Sequence, residues 1–148
     1  MSDSTEAWYD DVVMPGLLDA ARRSYGRSIR AALESAGFSD VPRLGIRLLG
    51  GIANNGPAGP DVARQIGARA ATAEKVVGAL VARDYITAGS DAGTYVLTER
   101  GRAAAAVSAA AVAAFEDRVR AEVGAERLAS TRAVLGTMIE LSDPHFTE

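Results

Sequence analysis

Pro60-Asp61-Val62-Ala63-Arg64-Gln65-Ile66-Gly67-Ala68-Arg69-Ala70-Ala71-Thr72-Ala73-Glu74-Lys75-Val76-Val77-Gly78-Ala79-Leu80 reads as a short helix, a tight turn and a longer helix. Pro60 supplies a preset φ at the first helical position and loses no needed donor there. Val62 and Ile66 stand four apart, on one face of a helix from Asp61 to about Gly67. Small residues fill the elbow, Gly67–Ala70. The second helix runs from about Ala71 to Asp84, with Ala73, Val76, Val77 and Leu80 at i, i+3, i+4 and i+7, a buried stripe. A short helix, an elbow of small residues and a longer helix form the signature of a helix-turn-helix.

The flanks extend this unit. Tyr85-Ile86-Thr87-Ala88 reads as a strand, Gly89-Ser90-Asp91-Ala92-Gly93 as a turn and Thr94-Tyr95-Val96-Leu97 as the returning strand. A minimal hairpin at that place is a wing. Thr98 can cap a long helix from about Glu99 to Val123, its hydroxyl oxygen accepting a free N–H. Gly124 interrupts, and a last helix runs from about Ala125 to Leu141, ahead of Asp143-Pro144. Upstream, Asp40-Val41-Pro42 starts a helix with Leu44, Leu48, Leu49 and Ile52 on one face, ended by Asn54-Asn55-Gly56-Pro57. Pro15 opens an earlier helix that runs to about Ser35 and is closed by Gly37. Met1–Val13 reads as a further short helix carrying Trp8 and Tyr9. The expectation is a mainly α protein: N-terminal helices over 1–40, a winged helix-turn-helix over 41–103 and C-terminal helices over 104–148.

Composition agrees. Hydrophobic residues make up 48% of the 148, many of them alanine, and aromatics only 5%, which favours helix over sheet. The absence of cysteine excludes disulfides and thiolate chemistry. No apolar run approaches the roughly 18 residues of a membrane span, and the acidic N-terminus is no signal peptide, so a cytoplasmic protein with no membrane partner is expected. Net charge is −3, but it is unevenly spread. Residues 1–40 and 104–148 each carry four arginines against seven acids, whereas residues 41–103 carry eight cations against five acids. A nucleic-acid contact belongs in the middle segment, although the same excess also fits an ordinary solvated surface.

Little in the chain offers catalysis. His145 is the only histidine and stands in the C-terminal tail, so a Ser-His-Asp triad would have to draw its base from that end and is not expected. No His/Cys/carboxylate cluster suits a metal. Gly50-Gly51 lacks the lysine of a phosphate loop. Asp10-Asp11 and Glu116-Asp117 are adjacent pairs that point to different sides of a helix. No cofactor and no metal are expected.

The runs Asp40–Leu49, Pro60–Gly67, Val76–Ile86 and Val96-Leu97-Thr98-Glu99-Arg100-Gly101-Arg102 together resemble MarR-family regulators of actinobacterial type, over roughly residues 15–140 and in the family's element order. The Leu-Thr-x-x-Gly motif after the second wing strand is the most family-like short piece. The resemblance implies a homodimer joined through the terminal helices, reading double-stranded DNA at a palindromic operator. The apolar stripe Val107, Val112, Phe115, Val119, Val123, Leu128, Leu135, Met138 and Ile139 fits that role, or an intramolecular bundle. Candidate DNA contacts are Arg64, Arg69, Ala71, Thr72 and Lys75, with Ala70 or Ala71 facing a thymine methyl. Arg69 and Lys75 can equally serve as phosphate contacts. The resemblance breaks at the wing, where the family's basic stretch is replaced by the short, neutral Gly89–Gly93. Arginine is the natural minor-groove reader, so this wing weakens binding.

The resemblance also implies a pocket for a small aromatic or phenolic ligand between the helical arms and the winged unit. Trp8, Tyr9, Met14 and Tyr25 are candidates to line it, with Arg22, Arg30 or Arg47 answering an anionic group. Each aromatic is also explained by core or dimer packing. Two functions compete: a ligand-responsive DNA-binding regulator, and a small-molecule binder or cofactor-free enzyme on the same scaffold without DNA binding.

Overall fold

A computed structural model of the chain describes residues 7–142. Among them are six helices and one two-stranded sheet: α1 Met14–Ser35, α2 Gly45–Asn55, α3 Val62–Ile66, α4 Ala70–Ala82, β1 Ile86–Ala88, β2 Tyr95–Leu97, α5 Glu99–Val123 and α6 Ala125–Ser142. The mainly α winged helix-turn-helix is therefore present in the expected order. Three local expectations are corrected. Residues 7–13 form turns, not a helix, with the Ala7 N–H donating to Asp10 Oδ2 at 2.9 Å. The helix expected from Asp40-Val41-Pro42 begins at Gly45, because residues 38–42 form a packed loop instead. Tyr85 precedes β1, its ring turned fully into the core. His145, Asp143 and Pro144 lie outside the described residues.

Of the described residues, 7–112 form one compact unit and 113–142 another. The first holds the core, built from Leu33 of α1, Leu48, Leu49 and Ile52 of α2, Val62 and Ile66 of α3, Val76 and Leu80 of α4, Ile86 of β1 and Ala104 of α5. β1 pairs antiparallel with β2 in the register Ile86–Leu97, Thr87–Val96 and Ala88–Tyr95. Ala58 adds a bridge on the outer side of Tyr95, exchanging both backbone hydrogen bonds with it at 2.9 and 2.8 Å. In the second unit α6 has no fully buried residue, and Arg132 of α6 pairs with Glu116 of α5.

The junction between α4, the wing and α5 is closed around Tyr85. Its carbonyl accepts the Thr98 N–H at 3.1 Å, and a Cβ at Gly101 would lie 1.9 Å from the same oxygen. Thr98 Oγ1 accepts the Gly101 N–H at 3.0 Å, the expected cap, and donates to the Asp84 carbonyl at 2.5 Å. The Leu97-Thr98-x-x-Gly101 motif is thus steric and capping chemistry. The Tyr85 hydroxyl donates to Asp40 Oδ1 at 2.5 Å and accepts from Arg100 Nη2 at 3.0 Å. The Arg100 guanidinium lies 4.7 Å from the Tyr85 ring centre, a cation–π contact, and also bonds Asp40 at 3.1 Å. Arg83, just past α4, donates to the Asp40 carbonyl at 2.8 Å.

The Tyr85 hydroxyl, then the Arg100 guanidinium, hold the Asp40 carboxyl below the usual carboxylate range. Burial, and beyond it the Asp40 carboxylate, push the Tyr85 hydroxyl up. The Asp40 carboxylate stabilises the fold fully above its unfolded-state pKa, and this contribution is lost as pH falls through the lower folded value. Tyr85→Phe keeps the ring and removes the donor. In urea titrations it is expected to cost about 1–2 kcal/mol at neutral pH, and the gap to wild type should narrow as the pH is taken below the usual carboxylate range. A gap that is constant or widening with acid would show that the Asp40 bond contributes nothing.

Candidate nucleic-acid interface and ligand cleft

The elbow of the helix-turn-helix is fixed by backbone geometry. Gly67 closes α3 at φ +66°, a left-handed conformation that glycine adopts without a Cβ penalty. The Gly67 and Ala68 N–H groups return to the Arg64 and Ala63 carbonyls at 3.1 and 2.9 Å. Arg69 then takes the extended N-cap position of α4. α4 buries Ala73, Val76 and Leu80, which leaves Arg69, Ala70, Ala71, Thr72, Glu74 and Lys75 exposed along its N-terminal half. The candidate contacts Arg69, Ala71, Thr72 and Lys75 therefore share one accessible end of one helix. Arg69 and Lys75 form no ion pair among the described residues. Arg64, on α3, stands 3.6 Å from Asp61 with both side chains more than three-quarters exposed, a pair too solvated to hold it.

The wing is as short as its sequence. Gly89 N–H donates to the Thr94 carbonyl at 2.8 Å, Thr94 Oγ1 donates to the Asp91 carbonyl at 2.7 Å, and Gly93 turns the chain at φ +76°. The tip carries one charge, the exposed carboxylate of Asp91, and no cation.

A cleft of about 980 Å³ opens between α1 and the α2–α3 region. Its apolar lining is Tyr25, Ile29, Leu44, Ile46 and Ile66, buried or half-buried, and around these stand Arg22, Arg23, Arg27, Arg30, Arg43 and Arg47 with Glu34. Four of the candidate ligand residues are thus brought together, Arg22, Tyr25, Arg30 and Arg47. Trp8, Tyr9 and Met14 are not among the lining. Trp8 and Tyr9 pack edge to face at 5.5 Å and are 76% and 51% exposed. Sequence reasoning missed Arg23, Arg27 and Arg43. The i, i+4, i+7 spacing of Arg23, Arg27 and Arg30 along α1 was the available signal.

Two of the cleft arginines also hold the winged unit. Arg47 Nη1 donates to the Ile66 carbonyl at 3.2 Å, directly before the elbow glycine. Arg30 Nη1 donates to the Val41 carbonyl at 2.9 Å, next to the Asp40 that Tyr85, Arg83 and Arg100 hold. The cleft arginines are therefore tied by single hydrogen bonds to the elbow after α3 and to the loop that holds Tyr85.

No family model matches the chain, and no curated protein matches it. Solved structures do share its fold. A MarR family transcriptional regulator from Silicibacter pomeroyi superposes with a TM-score of 0.66 and 21% identity, over 86% of this chain and 88% of that one. A MarR family protein of Mycobacterium tuberculosis in complex with salicylic acid matches with a TM-score of 0.63 and 22% identity, over 87% and 98% of the two chains. The transcriptional repressor CouR bound to p-coumaroyl-CoA matches with a TM-score of 0.65 and 17% identity, over 94% and 98%. At these identities the likeness establishes the fold, the MarR-type winged helix-turn-helix. No helix among the described residues is long and apolar enough to cross a membrane.

Removing the Arg47 tether should loosen the elbow without unfolding the core. In Arg47→Ala, hydrogen exchange at the Gly67 and Ala68 amides is expected to quicken by about tenfold, the equivalent of one hydrogen bond from a charged donor, while the amides of α5 keep wild-type protection. Unchanged exchange at the elbow would show that the tether carries no weight.

Proposed function

We propose that this chain is a ligand-responsive DNA-binding transcriptional regulator of MarR type, acting as a homodimer in the cytoplasm on a palindromic operator. The observation that carries the reading is that Arg47 belongs at once to a ligand-sized cleft and to the elbow that sets the recognition helix. An anion entering the cleft competes with the Ile66 carbonyl for the Arg47 guanidinium. Charge-assisted bonds to a carboxylate or phosphate are stronger than bonds to a neutral carbonyl. The ligand therefore has a differential interaction with the two states of the elbow, which any ligand-driven shift requires. Like the MarR family protein complexed with salicylic acid and the repressor bound to p-coumaroyl-CoA, this chain takes an anionic aromatic or phenolic effector on this reading.

The DNA-reading residues are Arg69, Thr72 and Lys75 with Ala71 for a thymine methyl, and Arg64 toward phosphate. Two copies joined through α1, α5 and α6 supply the two-fold that a palindrome needs. The partly exposed Val119, Val123, Val134, Met138 and Ile139 support that assembly, since α5 and α6 leave them uncovered in the single chain. A second reading, a small-molecule binder that has lost DNA binding, is favoured by one observation, the neutral wing with Asp91 at its tip.

Operator binding followed by fluorescence anisotropy separates the two. On the regulator reading, Arg69→Ala and Lys75→Ala each weaken binding, and each lost phosphate contact lowers the salt slope by roughly one unit. Wild-type protein with no specific binding at low salt would decide for the second reading. Sedimentation should give a dimer at micromolar concentration, and Leu135→Glu should shift it toward monomer. A monomeric wild type would overturn the assembly.

A further inference from the structure

The charge on the cleft exceeds what one carboxylate can answer. Of its six arginines, Arg22 and Arg23 share Asp19, at 2.9 Å for Arg22. Arg27, Arg30, Arg43 and Arg47 form no ion pair among the described residues; Arg27 donates to Ser24 Oγ at 2.9 Å, Arg30 to the Val41 carbonyl and Arg47 to the Ile66 carbonyl. Among the described residues, Glu34 is the only acid of the lining. This concentration stands in a chain whose net charge is −3.

Distance matters as much as sign. Arg23 and Arg30 stand seven residues apart on α1, roughly 10 Å at a rise of about 1.5 Å per residue. The two oxygens of a carboxylate are separated by a fraction of that span. A ligand of salicylate size meets one or two of these guanidinium groups and leaves the rest repelling one another. The half-buried Tyr25, Ile29 and Ile46 between them offer an apolar bed. Guanidinium groups are weakly hydrated and suited to bidentate contact with carboxylate or phosphate.

From this we infer that the cleft takes a multiply anionic small molecule, an apolar body bearing two or more separated carboxylate, sulfonate or phosphate groups. The inference deepens the proposed effector site and rests on that reading for its regulatory meaning, but not for the binding itself. The apolar part lies over Tyr25 and Ile46, and the anionic groups reach Arg27 and Arg43 as well as Arg47.

Isothermal titration calorimetry on the full chain without DNA tests it, using naphthalene mono-, di- and trisulfonate as a graded series on one apolar body. Benzoate and benzoyl-coenzyme A form the carboxylate and phosphate arms. Affinity is expected to rise with each added charge and to fall with salt, and benzoyl-coenzyme A is expected to bind more tightly than benzoate. Arg27→Ala and Arg43→Ala should each weaken the trisulfonate by about two- to fivefold, as for exposed ion pairs, and leave the monosulfonate unchanged. Both are exposed, so folding is preserved, and circular dichroism verifies it. Equal affinity across the series, or variants that bind every probe like wild type, would overturn the inference. Variants that lose duplex DNA affinity but keep trisulfonate affinity would also overturn it, by making this rim a DNA-backbone contact. A chain that binds the trisulfonate but no operator keeps this inference and loses the regulator reading.

Discussion

Tyr85 is the constraint on which the winged unit depends. It stands where α4 ends and the wing begins, and it is held at both ends of its own structure. Its carbonyl occupies the space a side chain at residue 101 would need and accepts the Thr98 N–H. Its ring is fully buried beneath the Arg100 guanidinium, and its hydroxyl reaches Asp40 on the loop after α1. One residue thereby fixes α4, the wing and the first turn of α5 against the loop after α1. A buried tyrosine whose hydroxyl finds both an acceptor and a donor contributes its area and its polar bond without leaving an orphaned group.

The fold was legible because its signals are local. The spacing of Val62 and Ile66, the stripe Ala73–Leu80, the glycines at 67, 93 and 124 and the Thr98 cap each act within a few residues, and each is where the sequence puts it. The Tyr85 junction was not legible. Asp40 and Tyr85 are 45 residues apart and Asp40 and Arg100 are 60 apart, and no periodicity joins them. The same loop is why α2 starts late: residues 38–42 are committed to holding Tyr85, Arg83 and Arg100, so the helix waits until Gly45.

The cleft was half legible. Arg22, Arg30, Arg47 and Tyr25 could be named from residue type, whereas Arg43 is brought to the same opening only by the path of the loop before α2. Trp8 and Tyr9 illustrate the opposite limit. Aromatic residues are the natural guess for an apolar lining, yet these two precede α1 in a turn and keep most of their surface in solvent. Residue type proposes a partner surface, and only the chain path decides which surface is reached.

The cation-free wing has a consequence at the scale of a genome. On the proposed function, a reader without a minor-groove arm recognises only the few base pairs that the start of one helix can touch in each half-site. Each base pair adds about 1–3 kcal/mol of discrimination, against roughly 10⁶–10⁹ competing sites. Short half-sites recur by chance, so decoys multiply as the reading frame shrinks. Occupancy of the true site is then governed by copy number and by operators placed in tandem, more than by the strength of any single encounter.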